Sequence, residues 1–188
     1  MAYHDLISLL EDFGKIDQLV RIQEFVNPEL EATEINERMV KQQGKALLFE
    51  NNGTEFPLLL NLFGSQERIN RILGTQNLDE IGLRIMQMIH RVTKPSMSLK
   101  DKLMILPMLK EVSSWQPNRS SGRANCQQEM MPVPDLSRLP IPKCWPFDGG
   151  KFITLPMVHT QNPETGVTNV GMYRMQVLDT CTTAIHRH

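Results

Sequence analysis

The sequence predicts an α+β protein in three parts: an N-terminal α/β domain over residues 1–112, a proline-rich connector over 113–146, and a β segment over 147–188. Three observations carry this. Helical apolar spacings alternate with short apolar runs up to residue 112. Six prolines (Pro117, Pro132, Pro134, Pro140, Pro142, Pro146) then exclude a long helix or a central strand. Beyond them, two apolar, β-branched runs at 152–160 and 167–178 flank Asn162-Pro163-Glu164-Thr165-Gly166, a turn built on Pro and Gly.

In order, Asp5 is placed to cap a helix with Leu6, Leu9, Leu10 and Phe13 on one face and Gly14 as its stop. Residues 18–22 form a short strand. Asn27-Pro28 starts a second helix that buries Leu30, Ile35, Met39 and Val40 and ends at Gly44. The runs 46–49 and 57–60 flank Asn51-Asn52-Gly53-Thr54 and predict a β-hairpin. Ser65 caps a helix through Ile69, Ile72 and Leu73 that stops at Gly74. Leu78, Ile81, Ile85, Met88 and Val92 are spaced three, four, three and four apart and make one apolar stripe. Ser98 caps a further helix with Leu99, Leu103 and Leu106 inward, kinked or ended by Pro107. In the connector, Pro140-Ile141-Pro142 and Trp145-Pro146 predict extended segments laid over another surface. The last strand begins at Cys181 and runs to Ile185.

A chain of 188 residues, 40% apolar and 22% charged, suits a globular protein with a real core. A net charge of −1 with scattered basic residues argues against nucleic acid as a partner. The three cysteines, Cys126, Cys144 and Cys181, form no CxxC pair, so a reducing, cytoplasmic setting is expected, with Cys181 as packing. No signal peptide and no apolar run long enough to cross a bilayer is visible; peripheral membrane contact stays open.

The functional lead lies in Asn169-Val170-Gly171-Met172-Tyr173-Arg174, which puts an amide, a glycine and an arginine where a structural strand wants bulk. Residues five apart on a strand face opposite ways. A bulge at Gly171 would turn Asn169 and Arg174 toward one long ligand. An Asn carbonyl is a hard ligand for magnesium or manganese, and Arg grips carboxylate or phosphate in a fork. On pattern alone the plainer account, an Asn at a strand start and an Arg on a solvent face, is the more economical. His186 and His188 share a strand face, a spacing that suits a metal or an anion as well as an exposed strand end. His159 lies near the turn, and Asp148-Gly149-Gly150 is a tight turn that also permits close backbone approach to a ligand.

The stretch LPIPKCWPFDGGKFITLPMVHTQNPETGVTNVGMYRMQ, residues 139–176, resembles the UbiD family of decarboxylases, which includes 4-hydroxy-3-polyprenylbenzoate carboxy-lyase and uses prenylated FMN. Asn27-Pro28-Glu29-Leu30-Glu31, Ala46-Leu47-Leu48-Phe49-Glu50-Asn51 and Asn61-Leu62-Phe63-Gly64-Ser65 extend the likeness to the N-terminal part. The resemblance implies that residues 147–188 are the first strands of a flavin-reductase-like split β-barrel, cut off inside a strand. It implies decarboxylation of an aromatic or α,β-unsaturated acid, with quinone-pathway hydroxybenzoate the commonest substrate label. Asn169 falls on a position that binds a divalent metal, typically manganese, bridging to the cofactor phosphate. Met172, Tyr173 and Arg174 fall on a cofactor-contacting segment, with Arg174 the catalytic residue near the reacting carboxylate. His186, Arg187 and His188 fall on the next such segment. The family's further histidine and glutamate ligands and its proton-donating carboxylate have no counterpart here, so the resemblance implies a chain inactive alone. It also implies a homo-oligomer, since relatives form dimers or hexamers; a non-catalytic flavin- or metal-binding module and a subunit-assembly module are the alternatives.

Overall fold

The computed structural model describes residues 3–93, 99–115 and 121–185. Five helices and small sheets bear out the α+β class; the chain order is α1 (Leu6–Lys15), β1 (Leu19–Phe25), α2 (Glu31–Lys41), β2 (Ala46–Asn51), β3 (Leu58–Leu60), α3 (Gln66–Leu73), α4 (Leu78–Val92), α5 (Leu99–Ser114), β4 (Phe152–Ile153), β5 (Met157–Gln161), β6 (Thr168–Met172), β7 (Met175–Val177) and β8 (Thr183–Ile185). The contacts divide it into two units. One holds residues 70–130; the other is assembled from residues 3–69 and 131–188.

The discontinuous unit is built on a three-stranded sheet in the order β1-β2-β3. β1 and β2 are parallel, joined through α2, and β2 and β3 form the expected antiparallel hairpin with Leu48 opposite Leu59. Residues 46–49 are buried without alternation, as a central strand covered on both faces requires. Val26, Ala32, Leu47, Phe49 and Leu58 form the core, with Val20, Ile22, Ile35, Met39 and Leu60 packed against it. The hairpin turn is organised by Asn52, whose buried amide donates to the Phe49 and Phe56 carbonyls and whose oxygen accepts from Thr54.

Several elements depart from the sequence reading. α1 runs past Gly14 to Lys15, and the left-handed residue after it is Asp17. Asn27 makes a turn instead of a cap, accepting from the Glu29 amide, so α2 starts at Glu31 after a left-handed Leu30. The inward stripe is therefore Ala32, Ile35 and Met39, and Val40, a further 100° round the helix, is exposed. Gly44 does not end the helix, because Gln43 takes the left-handed turn. Glycine is needed at 44 for another reason: a Cβ there would sit 2.0 Å from the Met39 sulfur. α3 keeps its forecast start, Ser65 accepting from the Arg68 amide, and its stop at Gly74.

Arg68 is the buried hub of this unit, at 0% exposure. Its Nε donates to Leu62 O (3.1 Å), Nη1 to Gln18 Oε1 (3.0 Å) and Gly44 O (3.1 Å), and Nη2 to Asn61 O (3.0 Å). Burial draws its pKa down, opposed by the Glu67 charge; a guanidinium stays charged, so the four neutral oxygens take the place of its water.

In the 70–130 unit, Asn77 caps α4. Leu78, Ile81 and Met88 of the forecast stripe are half-buried, whereas Ile85 is exposed. Pro107 lies inside α5 without ending it; Leu103 and Leu106, expected inward, are exposed, and Ile105, Met108 and Val112 form the half-buried line. Ser98 lies outside the described residues. No helix of the described residues is long and apolar enough to cross a membrane.

The later part of the connector runs extended along α2: Leu30 N donates to Lys143 O, Thr33 Oγ1 donates to Cys144 O, and Ile141 is buried. Arg138 grips Glu55 in a fork at 2.8 and 2.5 Å. After it, each forecast strand run is split. Residues 154–156, which include Pro156, separate β4 from β5, and Tyr173-Arg174 separate β6 from β7. The result is two small sheets, β4-β7-β8 and the hairpin β5-β6, with no closed barrel among the described residues.

Candidate functional site

Two clusters meet where the chain leaves one small sheet for the other. The hairpin β5-β6 is regular, with Val158 opposite Gly171 and Thr160 opposite Asn169, so there is no bulge at Gly171. The irregular residues are Tyr173 and Arg174. Asn169, Gly171 and Tyr173 alternate along one face of β6 and its extension. Gly171 is what allows the tyrosine to fold back: a Cβ there would meet the Tyr173 ring at 2.5 Å. The Asn169 amide nitrogen donates to Tyr173 Oη at 3.3 Å, leaving the amide oxygen as its acceptor. Together with Thr160, Gln161, Asn162, Thr165, Val167 and Ile185 these residues line an open groove of about 790 Å³. The turn beneath it is set by Asn162, whose side chain accepts from the amides of Glu164 and Thr165.

Arg174 goes elsewhere. Its Nη2 donates to Asp148 Oδ2 at 2.6 Å, and its guanidinium lies 3.8 Å from the Phe152 ring centroid, a cation–π contact. The Arg174 guanidinium holds the Asp148 carboxyl below the usual carboxylate range. Nearby, burial pushes the Cys144 thiol up, opposed by the Arg174 charge.

The structure thus brings Asn169 and Tyr173 together and leaves Arg174 on the opposite side of the strand, as the five-residue spacing dictates without a bulge. Met172 and His159 are exposed, and Cys181, expected as packing, is exposed too. His186, Arg187 and His188 lie outside the described residues. Sequence reasoning missed Asp148 as the partner of Arg174. It also missed the polar side chains of 160–165, although the alternation 169, 171, 173 was a signal for the groove face.

The Asp148 pair has a measurable pH signature. A depressed carboxyl pKa contributes stability that is present above the unfolded value of about 3.9 and is lost as pH falls through the folded value. Asp148→Asn should lower the thermal midpoint by a few degrees at pH 6, and the gap between variant and parent should close in strong acid. A gap independent of pH would rule the ion pair out as its cause.

The groove was tested against the two groups that the resemblance implies. Its walls, a tyrosine ring, Val167 and Ile185 with amides and hydroxyls between them, suit a flat, polar-edged cofactor. For a hard cation they offer the Asn169 oxygen, and no group of three His, Cys, Asp or Glu side chains able to hold a metal occurs among the described residues. Among the described residues the groove lining carries no basic side chain. The described residues suit the flat cofactor, and toward a cation they contribute the Asn169 oxygen as a single amide ligand.

Comparison with known proteins bears on the family and the fold. Residues 10–85 match the family model for the 3-octaprenyl-4-hydroxybenzoate carboxy-lyase N-terminal domain, and residues 118–188 match that for the Rift-related domain of the same carboxy-lyase. Uncharacterized proteins of Aquifex aeolicus and Archaeoglobus fulgidus are 43% and 44% identical over 98% and 99% of the chain. The chain spans 38% of the length of each. Among solved structures, vanillic acid decarboxylase of Sedimentibacter hydroxybenzoicus in its closed form superposes with a TM-score of 0.71 at 26% identity, covering 98% of this chain and 37% of that one. An evolved dimeric form of the UbiD-class enzyme HmfF from Pelotomaculum thermopropionicum, in complex with prFMN, gives 0.70 at 20% identity over 99% and 39%. The chain belongs to the UbiD family of carboxy-lyases and corresponds to its N-terminal portion.

Proposed function

We propose that this chain forms the metal and phosphate side of a prenylated-FMN-dependent decarboxylase acting on an aromatic or α,β-unsaturated carboxylic acid, with 4-hydroxy-3-polyprenylbenzoate of quinone biosynthesis as the substrate. The observation that carries the reading is the groove in which Asn169 and Tyr173 share one face of β6. Asn169 offers its amide oxygen to a divalent cation, manganese, and Tyr173 locks the amide in that orientation by accepting its N–H. The ring of Tyr173 supplies a flat apolar contact beside it, and Met172 borders the same segment. Bound prenylated FMN would supply an electron sink for the loss of carbon dioxide.

Arg174 has a separate task, to hold the substrate carboxylate. Asp148 and Phe152 fix its guanidinium in one orientation, and the pair with Asp148 engages only its two terminal nitrogens. His186, Arg187 and His188 belong to the same proposal as further cofactor contacts. None of the described residues lining the groove is a carboxylic acid or an imidazole that would protonate the product carbon. In this proposal the chain by itself is a binding half, without turnover.

The test is a titration of the purified chain with FMN, with and without Mn²⁺. Binding that strengthens with the metal is expected, and Asn169→Ala should abolish the metal dependence, weakening binding by about 10–100-fold. Metal-independent binding unaffected by Asn169→Ala would sink the assignment. Carbon dioxide release from the 188-residue chain supplied with cofactor and substrate would sink the claim that it does not turn over.

A further inference from the structure

Residues 145–150 form a loop that is tied firmly at both ends and loosely in between. At its base Phe152 N donates to Pro142 O at 3.0 Å and brings the two ends together. Each flank is also pinned. On one side Thr33 Oγ1 donates to Cys144 O at 3.3 Å, and on the other Val177 N donates to Lys151 O at 2.9 Å. Ile141 and Phe152, both buried, seat that base in the fold. The loop itself has little packing. Trp145 is 56% exposed, Phe147 is fully exposed, and Pro146 and Gly149 are exposed beside them. Apolar side chains left in water contribute no burial, so the place of the loop depends on its polar ties.

Those ties are few. Within the loop, Asp148 N donates to Trp145 O at 3.1 Å. Outward, among the described residues, Gln176 Nε2 donates to Gly149 O at 3.1 Å, and the Asp148 carboxylate takes the end of the Arg174 guanidinium. That grip is lopsided. Nη2 to Oδ2 is 2.6 Å, but Nη1 to Oδ1 is 3.4 Å, beyond the usual range of a good hydrogen bond. A carboxylate free to turn makes both bonds of the fork at full strength. A displaced Asp148 moves into water, which its neighbours already face. Phe152 meanwhile keeps hold of one face of the guanidinium, 3.8 Å from its ring centroid, so Arg174 stays in place. Gly149 and Gly150 follow Asp148 directly, and Gly150 sits at φ 155°, a conformation that residues with a Cβ rarely adopt. The loop therefore has a hinge beside its latch.

We propose that residues 145–150 are a lid latched on Arg174 by Asp148, and that a ligand carboxylate releases the lid by taking the guanidinium in place of Asp148. This rests on the reading that Arg174 holds the substrate carboxylate, and it adds an order of events: the acid opens the lid as it binds. Asp148 is then an internal competitor that every acid must displace.

Trp145 reports the lid. The chain has two tryptophans, and Trp115→Phe leaves Trp145 alone. Cyclohexanecarboxylate, transparent where tryptophan absorbs, is the probe, with its amide as the uncharged control. Phenylglyoxal modification of Arg174, mapped by mass spectrometry, independently reports whether the guanidinium is occupied. A saturable shift in Trp145 emission is expected with the acid and not with the amide, at the concentrations that protect Arg174. Asp148→Asn should show the shifted emission before any ligand is added. It should also bind the acid about two- to fivefold more tightly, the worth of a partly exposed ion pair. Protection of Arg174 with no change at Trp145, or protection in Asp148→Asn no stronger than in the parent, would overturn the lid and leave the role of Arg174 standing. No protection in either protein would overturn both. Far-UV circular dichroism checks the fold of Asp148→Asn, and the parent titration decides the matter alone if that variant folds poorly.

Discussion

Arg68→Ala is expected to cost about 3–5 kcal/mol of folding stability, the largest effect of any single substitution outside the apolar core. The side chain is fully buried and holds four oxygens from three separate segments: Gln18 before β1, Gly44 before β2, and Asn61 and Leu62 ahead of α3. Truncation removes their common donor at once. Gly44 O keeps a bond from the Asn61 side-chain amide and Asn61 O keeps one from the Gly64 amide, but the Leu62 carbonyl loses the guanidinium, and a buried acceptor left without a partner costs about 1–3 kcal/mol. Arg68→Lys should recover less than half of the loss, because one ammonium cannot span the positions that a planar fork reaches. Urea unfolding reads this directly as a lower midpoint at an unchanged slope. A loss below about 1 kcal/mol for Arg68→Ala would show that the loops hold themselves.

Gly171→Val is expected to do the reverse, damaging ligand binding while leaving stability nearly intact. A Cβ at 171 already overlaps two atoms of the Tyr173 ring, at 2.5 and 2.8 Å, and its hydroxyl oxygen at 2.9 Å, so a branched side chain must expel the ring from its place. The Asn169–Tyr173 hydrogen bond goes with it, and the amide loses the contact that sets which end faces a cation. Metal-dependent FMN affinity should fall at least tenfold, as losses of outer-shell partners do. The urea midpoint should barely move, since residues 168–170 are exposed and no residue of β6 belongs to the buried core. Tyr173→Phe is the control: it keeps the ring, removes the hydroxyl and should show an intermediate loss. Wild-type affinity in Gly171→Val would mean that the tyrosine has no part in the groove.

Local patterns in this sequence were legible wherever one residue type answers one backbone need. Asn-Gly at 52–53 announced its hairpin, and Ser65 with Gly74 bracketed α3, because caps and left-handed turns are set by a few adjacent atoms. Rotational detail was less so. Val40, Leu103 and Leu106 sit at apolar positions of real helices and still face water, since periodicity fixes a stripe and not the neighbour that covers it. At the candidate site, the odd composition of 169–174 marked the right stretch. What went unread was the partner of Arg174, twenty-six positions upstream in Asp148, because nothing local in a sequence records a pairing between two distant connecting segments. Gly171 shows the same limit in miniature. A glycine within a strand suggested a bulge, whereas its use is to clear space for a ring two residues on.

The unit assembled from residues 3–69 and 131–188 has a consequence for how the protein comes off the ribosome. The edge of α2 that receives Lys143 and Cys144 is synthesised more than a hundred residues before them. At about 5–20 residues per second, residues 70–130 alone take on the order of 3–12 s to emerge. Through that interval the first sheet must wait with one flank uncovered. The nascent chain therefore passes through a half-finished state in which the backbone and hydroxyl partners of residues 143 and 144 at the start of α2 are met by water.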